Sequence, residues 1–410
     1  MRDFRLLTLV SAFVFVAMGF TSPVMTIYLE SLGASFAQIS LILTSFTLAA
    51  LLANYTSGRL SDRLTRRKPL LIGGLLLLGF AYFWLSRVPT ANLAWPVRIV
   101  EGIGSGTYAT LSLAMMGDLL EHSGRRGRNM GVFRGIGSAS FAVGAVAGGW
   151  FATRFSAPFV FLIAAGCYVA ASLVMILVHE RRAAGGATVP AAEPSPLPEG
   201  VAPATPLGAP SGYPLRTLGL PALFLGGVFI WTAAVGAAAS MWPNAMAHMG
   251  YSQQTISSLW GLAALIELPG MTIAGALSDA IGRAPLLAAG AFGVSLVFLG
   301  YIFVAQWLPA LIGVQVLRGL SYGSYMASAM TYAAEHGNRQ TRGSVSGIYS
   351  AATGGGQLAG TLAGGLVVQA FGFPPLFALC AVAAVVGGIC FLTLNSREPQ
   401  KKAADYVETA

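Results

Sequence analysis

The sequence is 410 residues long, 55% hydrophobic and only 10% charged, with a formal net charge of +9. A water-soluble domain carries about a quarter charged residues, so a surface solvated on every side is excluded. A nucleic-acid partner is not implied either, because the positive charge gathers in alternate loops between apolar blocks.

The chain opens on the apolar run Leu6 to Leu29. That run is too long for the apolar core of a signal peptide and lacks a small-residue cleavage site, so it reads as a first helix. Ile39 to Ser57 and Leu70 to Leu85 follow, each close to the roughly 20 residues that cross a bilayer. Twelve such blocks succeed one another, at about 6–32, 36–60, 69–87, 94–119, 130–152, 157–178, 217–247, 252–277, 284–304, 307–334, 344–369 and 374–395. In lipid every backbone amide must find its partner inside the segment or in a closed barrel. Barrel strands would be shorter and would alternate in polarity. The blocks therefore predict twelve transmembrane helices.

Arg59, Arg63, Arg66, Arg67 and Lys68 fall in the second loop, Arg125, Arg126 and Arg128 in the fourth, Arg181 and Arg182 in the sixth, and Arg339 and Arg342 in the tenth. Loops of the other parity hold only Arg87 and Arg154. Basic loops stay on the cytoplasmic side, which predicts a multi-pass protein of the inner (plasma) membrane with both termini inside.

From Ala183 to Pro214 the chain becomes rich in Pro, Ala, Gly and Ser, the composition of an extended cytoplasmic linker. The expected organisation is an N-terminal six-helix bundle (1–182), a disordered linker (183–216), a C-terminal six-helix bundle (217–396) and a cytoplasmic tail (397–410). The halves repeat each other. Gly33-Ala34-Ser35 returns as Gly250-Tyr251-Ser252, and Gly58, Asp62 and Arg66 return as Gly275, Asp279 and Arg283, all shifted by 217. Gly102 and Gly106 become Gly319 and Gly323, and Asp118 becomes Glu335. With an even number of spans in each half, the repeats are parallel and related by a pseudo-two-fold axis along the membrane normal. That symmetry predicts a cavity between two similar bundles and alternating access.

Cys167, Cys380 and Cys390 all fall within spans without metal-ligand spacing, and read as helix-packing residues. No metal, cofactor or convergent set of catalytic groups is expected, and no nucleotide-binding loop of the form Gly-x4-Gly-Lys-Ser/Thr occurs. An enzyme is not indicated.

The run Gly58-Arg59-Leu60-Ser61-Asp62-Arg63-Leu64-Thr65-Arg66-Arg67-Lys68 resembles the signature loop between helices 2 and 3 of the major facilitator superfamily, with Thr65 where a second glycine is common. Gly275-Ala276-Leu277-Ser278-Asp279-Ala280-Ile281-Gly282-Arg283 repeats it and keeps that glycine. The resemblance covers essentially the whole chain. It implies a monomeric transporter whose Asp62, Arg66 and Asp118, repeated as Asp279, Arg283 and Glu335, latch the cytoplasmic mouth in one state and part in the other. Charge-assisted contacts of that kind bias a bistable bundle. The same charges would also serve topology alone.

Arg98-Ile99-Val100-Glu101-Gly102-Ile103-Gly104 resembles the helix 4 motif of proton-coupled members, with Glu101 in place of a glutamine. Charges inside a span are costly and face a cavity or each other. Two arrangements stay open: Arg98 and Glu101 pair three residues apart on one face, or Glu101 meets Arg318 of helix 10 across the cavity. Gly144-Ala145-Val146-Ala147-Gly148-Gly149 resembles the helix 5 motif of antiporters, with Ala145 in place of its proline; small residues at this spacing also simply permit close packing.

Glu267 is the leading candidate for proton coupling. It lies eight residues before Gly275, roughly 12 Å into helix 8, and that helix holds no basic residue. A carboxyl group held there without a cation is suited to take up and release a proton during transport. Asn54, Trp231, Trp260, Tyr322, Tyr325 and Arg318 are expected to line the substrate cavity, while Tyr28 and Trp242 read as interfacial and His248 as a surface residue. With membrane lipid around it and a small-molecule substrate inside, the chain reads as a proton-coupled exporter of lipophilic or amphipathic drug-like compounds, resembling the twelve-span drug–proton antiporters. The alternative is a facilitator or exporter of sugars, metabolites or lysolipids. A membrane receptor on the same scaffold would need a signalling domain, and only the linker is available.

Overall fold

The computed structural model describes residues 2–64, 66–120, 126–179, 220–336 and 342–408, without the side chains of 62–64, 126–128, 279, 334, 342–344 and 395–408. The predicted linker lies outside these residues, while the predicted tail falls within the last helix as far as Glu408. Twelve helices are described: α1 (Arg2–Ser31), α2 (Phe36–Leu64), α3 (Lys68–Leu85), α4 (Ala91–Leu120), α5 (Arg126–Arg154), α6 (Ala157–Ile176), α7 (Ala222–His248), α8 (Gln253–Ile281), α9 (Arg283–Phe303), α10 (Leu308–Glu335), α11 (Arg342–Phe371) and α12 (Phe373–Glu408). No strand occurs among the described residues. Nine of the helices are long and apolar enough to cross a membrane by composition alone. The other three, α4, α10 and α11, are long enough, but charged and small polar residues such as Arg98, Glu101, Gln315 and Arg318 dilute their apolar character.

The repeat is visible in the turns. Gly33 (φ 84°) and Gly250 (φ 90°), 217 positions apart, end α1 and α7 in the left-handed region. Each turn closes with the same pair of bonds: Gly33 N to Glu30 O and Ala34 N to Leu29 O in one, Gly250 N to Ala247 O and Tyr251 N to Met246 O in the other. A side chain at either glycine would strain the turn, because only glycine enters this conformation without steric cost.

The described residues form two compact units. The first holds α1 to α6 together with the ends of α7, α8 and α11 at 239–265 and 361–373. Within it α2 packs on α4, α1 on α5 and α6, and α3 on α4 and α6. The second holds 220–238, 266–336, 342–360 and 374–408, with α9 packed on α10.

The glycines of α5 serve the first packing arrangement. A Cβ on Gly144 or Gly148 would collide with the backbone of Val16 or Phe20 in α1. In the second unit Gly360 of α11 meets Ala233 of α7 in the same way. Of the two readings of the helix 5 motif, close packing is therefore the one the contacts express.

Candidate substrate and proton site

In the second unit four helices bring aromatic and ionisable groups together. Trp231 of α7 stacks on Tyr325 of α10 with ring centroids 3.5 Å apart, and Tyr322, one turn earlier, lies 5.6 Å from the same indole. Both Trp231 and Tyr325 are buried, yet the indole Nε1 and the phenolic oxygen have no hydrogen-bond partner among the described residues. A buried polar hydrogen without an acceptor costs about 1–3 kcal/mol, so such groups commonly await a ligand or water. Ser328, one turn beyond Tyr325, holds a third such hydroxyl. Tyr349 of α11, which the sequence did not single out, adds a buried ring that stacks on Phe224.

Glu267 enters this group through α8. Gly323 of α10 lies so close that a Cβ on it would come within 2.7 Å of the Glu267 carbonyl oxygen. Among the described residues the Glu267 carboxylate has no hydrogen bond or ion pair, while Tyr322 lies within its electrostatic reach. Arg318, buried one turn before Tyr322 on α10, acts on the same phenol. The predicted set Glu267, Arg318, Trp231, Tyr322 and Tyr325 is thus gathered in one unit.

Within the first unit Glu101 makes the local pair with Arg98. Arg98 Nη1 meets Glu101 Oε2 at 2.5 Å, and both residues are buried. The guanidinium stands over the Phe46 ring at 4.3 Å. Tyr82 of α3 donates to Glu101 Oε1 at 2.6 Å, and Thr21 of α1 lies 3.1 Å from the Tyr82 hydroxyl. Tyr82 and Thr21 were not legible as partners, because they sit on other helices with no spacing signal.

Other candidates are placed elsewhere. Thr110 Oγ1 donates to Asn54 Oδ1 at 3.0 Å, so Asn54 ties α2 to α4. Trp260 lies 5.5 Å from Trp242, and both are buried in the first unit. Trp242 is therefore no interfacial residue. Nor is Tyr28: its buried hydroxyl donates to Leu85 O and Val88 O, at and just beyond the end of α3.

At the loop ends, Arg283 holds Glu335 through Nε and Nη2 at 3.1 and 2.9 Å, and also donates to Ser278 Oγ. In the first half the partner of Asp118 is Arg67, at 2.5 Å, and not the expected Arg66, which is exposed. The cause is a shift of helix start. Gly282 takes φ 91° and lets α9 begin at Arg283, whereas α3, with Thr65 in the glycine's place, begins two residues later in the repeat at Lys68. The side chains of Asp62 and Asp279 lie outside the described residues.

The model of the MFS_1 like family matches residues 5–379. The chain belongs to that family. With it goes membership of the major facilitator superfamily, as the signature loop implied. A putative sugar efflux transporter of Deinococcus radiodurans is 29% identical over 92% of this chain and 93% of its own. The quinolone resistance protein NorA of Staphylococcus aureus is 24% identical over 168 residues, 41% of this chain and 42% of its own. Among solved structures, the nucleoside transporter NupG superposes with a TM-score of 0.79 at 14% identity, covering 96% of this chain and 99% of NupG. The human organic anion transporter MFSD10 follows at 0.64 and 17%, covering 95% and 99%. At these identities the structural likeness shows the fold. The family member described here is a multi-pass membrane protein and a secondary transporter of small molecules.

Proposed function

We propose that this protein is a proton-coupled exporter of small hydroxylated solutes of the sugar-like class, working by alternating access in the inner membrane as a monomer with both termini cytoplasmic. The observation that carries the coupling is Glu267, a carboxyl group inside a span with no hydrogen bond or ion pair among the described residues. Such a group passes through the membrane when it holds a proton and attracts a donor when it does not. The orphan hydrogens of Trp231, Tyr325 and Ser328 support the substrate class. A flat aromatic stack offers a face to the C–H side of a sugar ring, while indole and phenol donors suit its oxygens. The relative matched along nearly its whole length is named a putative sugar efflux transporter, which agrees with this chemistry.

A second reading, export of lipophilic drugs, draws on the partial match to NorA and on the same aromatic walls. Purified protein in liposomes, loaded with an internal pH dye under an imposed gradient, separates the two. Proton movement triggered by sugars and lost in Glu267→Gln is the expected result. A response to lipophilic cations alone would transfer the assignment to drugs. Solute flux with no proton movement in the native protein would remove the coupling.

A further inference from the structure

The ends of α1 and α7 meet within the first unit through Glu30, Asn244 and His248. Asn244 is fully buried, and its Nδ2 donates to Glu30 Oε2 at 2.6 Å and to Thr26 O at 3.1 Å. Both partners only accept, so the amide orientation is fixed. His248 Nδ1 lies 2.9 Å from Asn244 O, and its Nε2 lies 3.3 Å from Glu30 Oε1. A carbonyl oxygen can only accept, so Nδ1 must carry a hydrogen. A neutral imidazole has one hydrogen, which leaves Nε2 with a lone pair facing a carboxylate oxygen. Two acceptors facing each other repel. The contact is attractive only when one further proton sits between Nε2 and Oε1, on the ring or on the carboxyl.

We infer that Glu30 and His248 form a second proton-binding site, separate from Glu267, which joins the ends of α1 and α7 when the proton is bound and releases them when it leaves. Water reaches the site, since the side chains of Glu30 and His248 are 28% and 49% exposed. Among the described residues His248 faces the ionisable Glu30 of α1 and packs against the uncharged Phe36 of α2, Phe373 of α12 and Asn244 of its own helix. Because the contact needs that proton, it responds to the pH of the compartment it faces. The sign is fixed: acid holds these ends together and base parts them. Under the topology proposed above, that compartment is outside the cell, and the closing of this gate reports external acidity.

Further hydrogen bonds join the same elements around the site. Gly365 N donates to Ser40 Oγ at 2.8 Å, Gln253 Nε2 donates to Pro23 O at 3.1 Å, and Phe36 N donates to Gln369 Oε1 at 3.1 Å. These bonds carry no titratable group, so the proton site is the pH-dependent part of the contact.

The test uses the full-length protein in lipid nanodiscs, with the three native cysteines replaced and spin labels on Ser31→Cys and Met249→Cys. The distance distribution is read by pulsed electron resonance between pH 5.5 and 8. The expected result is a ratio of short to long distances that falls by roughly fivefold as pH rises, the order for a partly exposed ion pair. His248→Gln supplies an amide hydrogen toward Glu30 at every pH, and Glu30→Gln supplies one toward the bare Nε2. Each variant should keep the short distance and lose the pH response. A native protein without a pH response, or variants that keep it, would overturn the inference. The readout needs neither substrate nor Glu267, so a failed coupling assay leaves it untouched. Labelling of Ser31→Cys in intact cells by an impermeant maleimide tests the sidedness separately; protection from the reagent would overturn the external placement.

Discussion

Tyr82 donates its phenolic hydrogen to Glu101 Oε1 while Arg98 holds Oε2, so both oxygens of a carboxylate inside the membrane span are engaged by neighbours in the same unit. Glu101 is therefore committed, in contrast to Glu267. This division ties α3 to α4 through Glu101 and supports the proposal that Glu267 is the group that carries the proton.

The first prediction follows from that engagement. Glu101→Gln leaves Arg98 buried beside an amide and should cost about 3–5 kcal/mol, seen as a large loss of thermal stability in detergent. Neutralising both, as Arg98→Met with Glu101→Gln, should recover most of the loss. Additive losses in the double variant would show that the pair is not coupled.

Removing the hydroxyl alone is a gentler perturbation. Tyr82→Phe keeps the ring stacked on Tyr168 at 5.4 Å but strips one donor from the carboxylate. The expected cost is about 1–3 kcal/mol in unfolding free energy, with the direction of transport unchanged. A Tm equal to that of the native protein would show that Glu101 Oε1 finds another donor.

The proposed latch makes a discriminating prediction between neighbouring arginines. Arg67→Gln breaks the contact with Asp118 and should increase the reactivity of cysteines placed at that end of the helices, whereas Arg66→Gln, at an exposed position, should not. The reverse order would return the role to Arg66. In the second half, Arg283→Gln should act as Arg67→Gln does, because it releases Glu335.

Substrate class is addressed by removing donors without removing rings. Tyr325→Phe keeps the face that stacks on Trp231 and deletes the orphan hydroxyl. For a hydroxylated substrate the apparent affinity should fall roughly tenfold, the effect of about 1.4 kcal/mol in a lost hydrogen bond. Affinity for lipophilic cations should stay the same. Equal losses for both ligand classes would remove the hydrogen bond from the argument.

Close packing supplies the fifth prediction. Gly144→Ala and Gly360→Ala both force a methyl group into an opposing backbone, and each should destabilise by about 1–3 kcal/mol or more. Gly166→Ala, where a Cβ meets nothing within 4 Å, is the control and should be neutral. Poor yield of the first two with a normal control is the expected pattern in membrane extracts.

The sequence by itself determined the all-helical membrane fold, the number of helices, the internal repeat and the superfamily. Each rests on information held within one segment or at a fixed shift: apolar length set by bilayer thickness, alternate basic loops, and glycines such as Gly33 and Gly250 whose conformation no other residue adopts cheaply. It also singled out Glu267, because a lone acid in an apolar helix is conspicuous without any neighbour being known. Only the tertiary structure decided which groups meet. Arg67 met Asp118, Tyr82 and Thr21 joined Glu101 from two other helices, Asn54 met Thr110, Trp260 lay beside Trp242, and exposed His248 met Glu30. Such contacts depend on how helices distant in the chain rotate about their axes, and a rotation of one residue, about 100°, exchanges a buried neighbour for lipid.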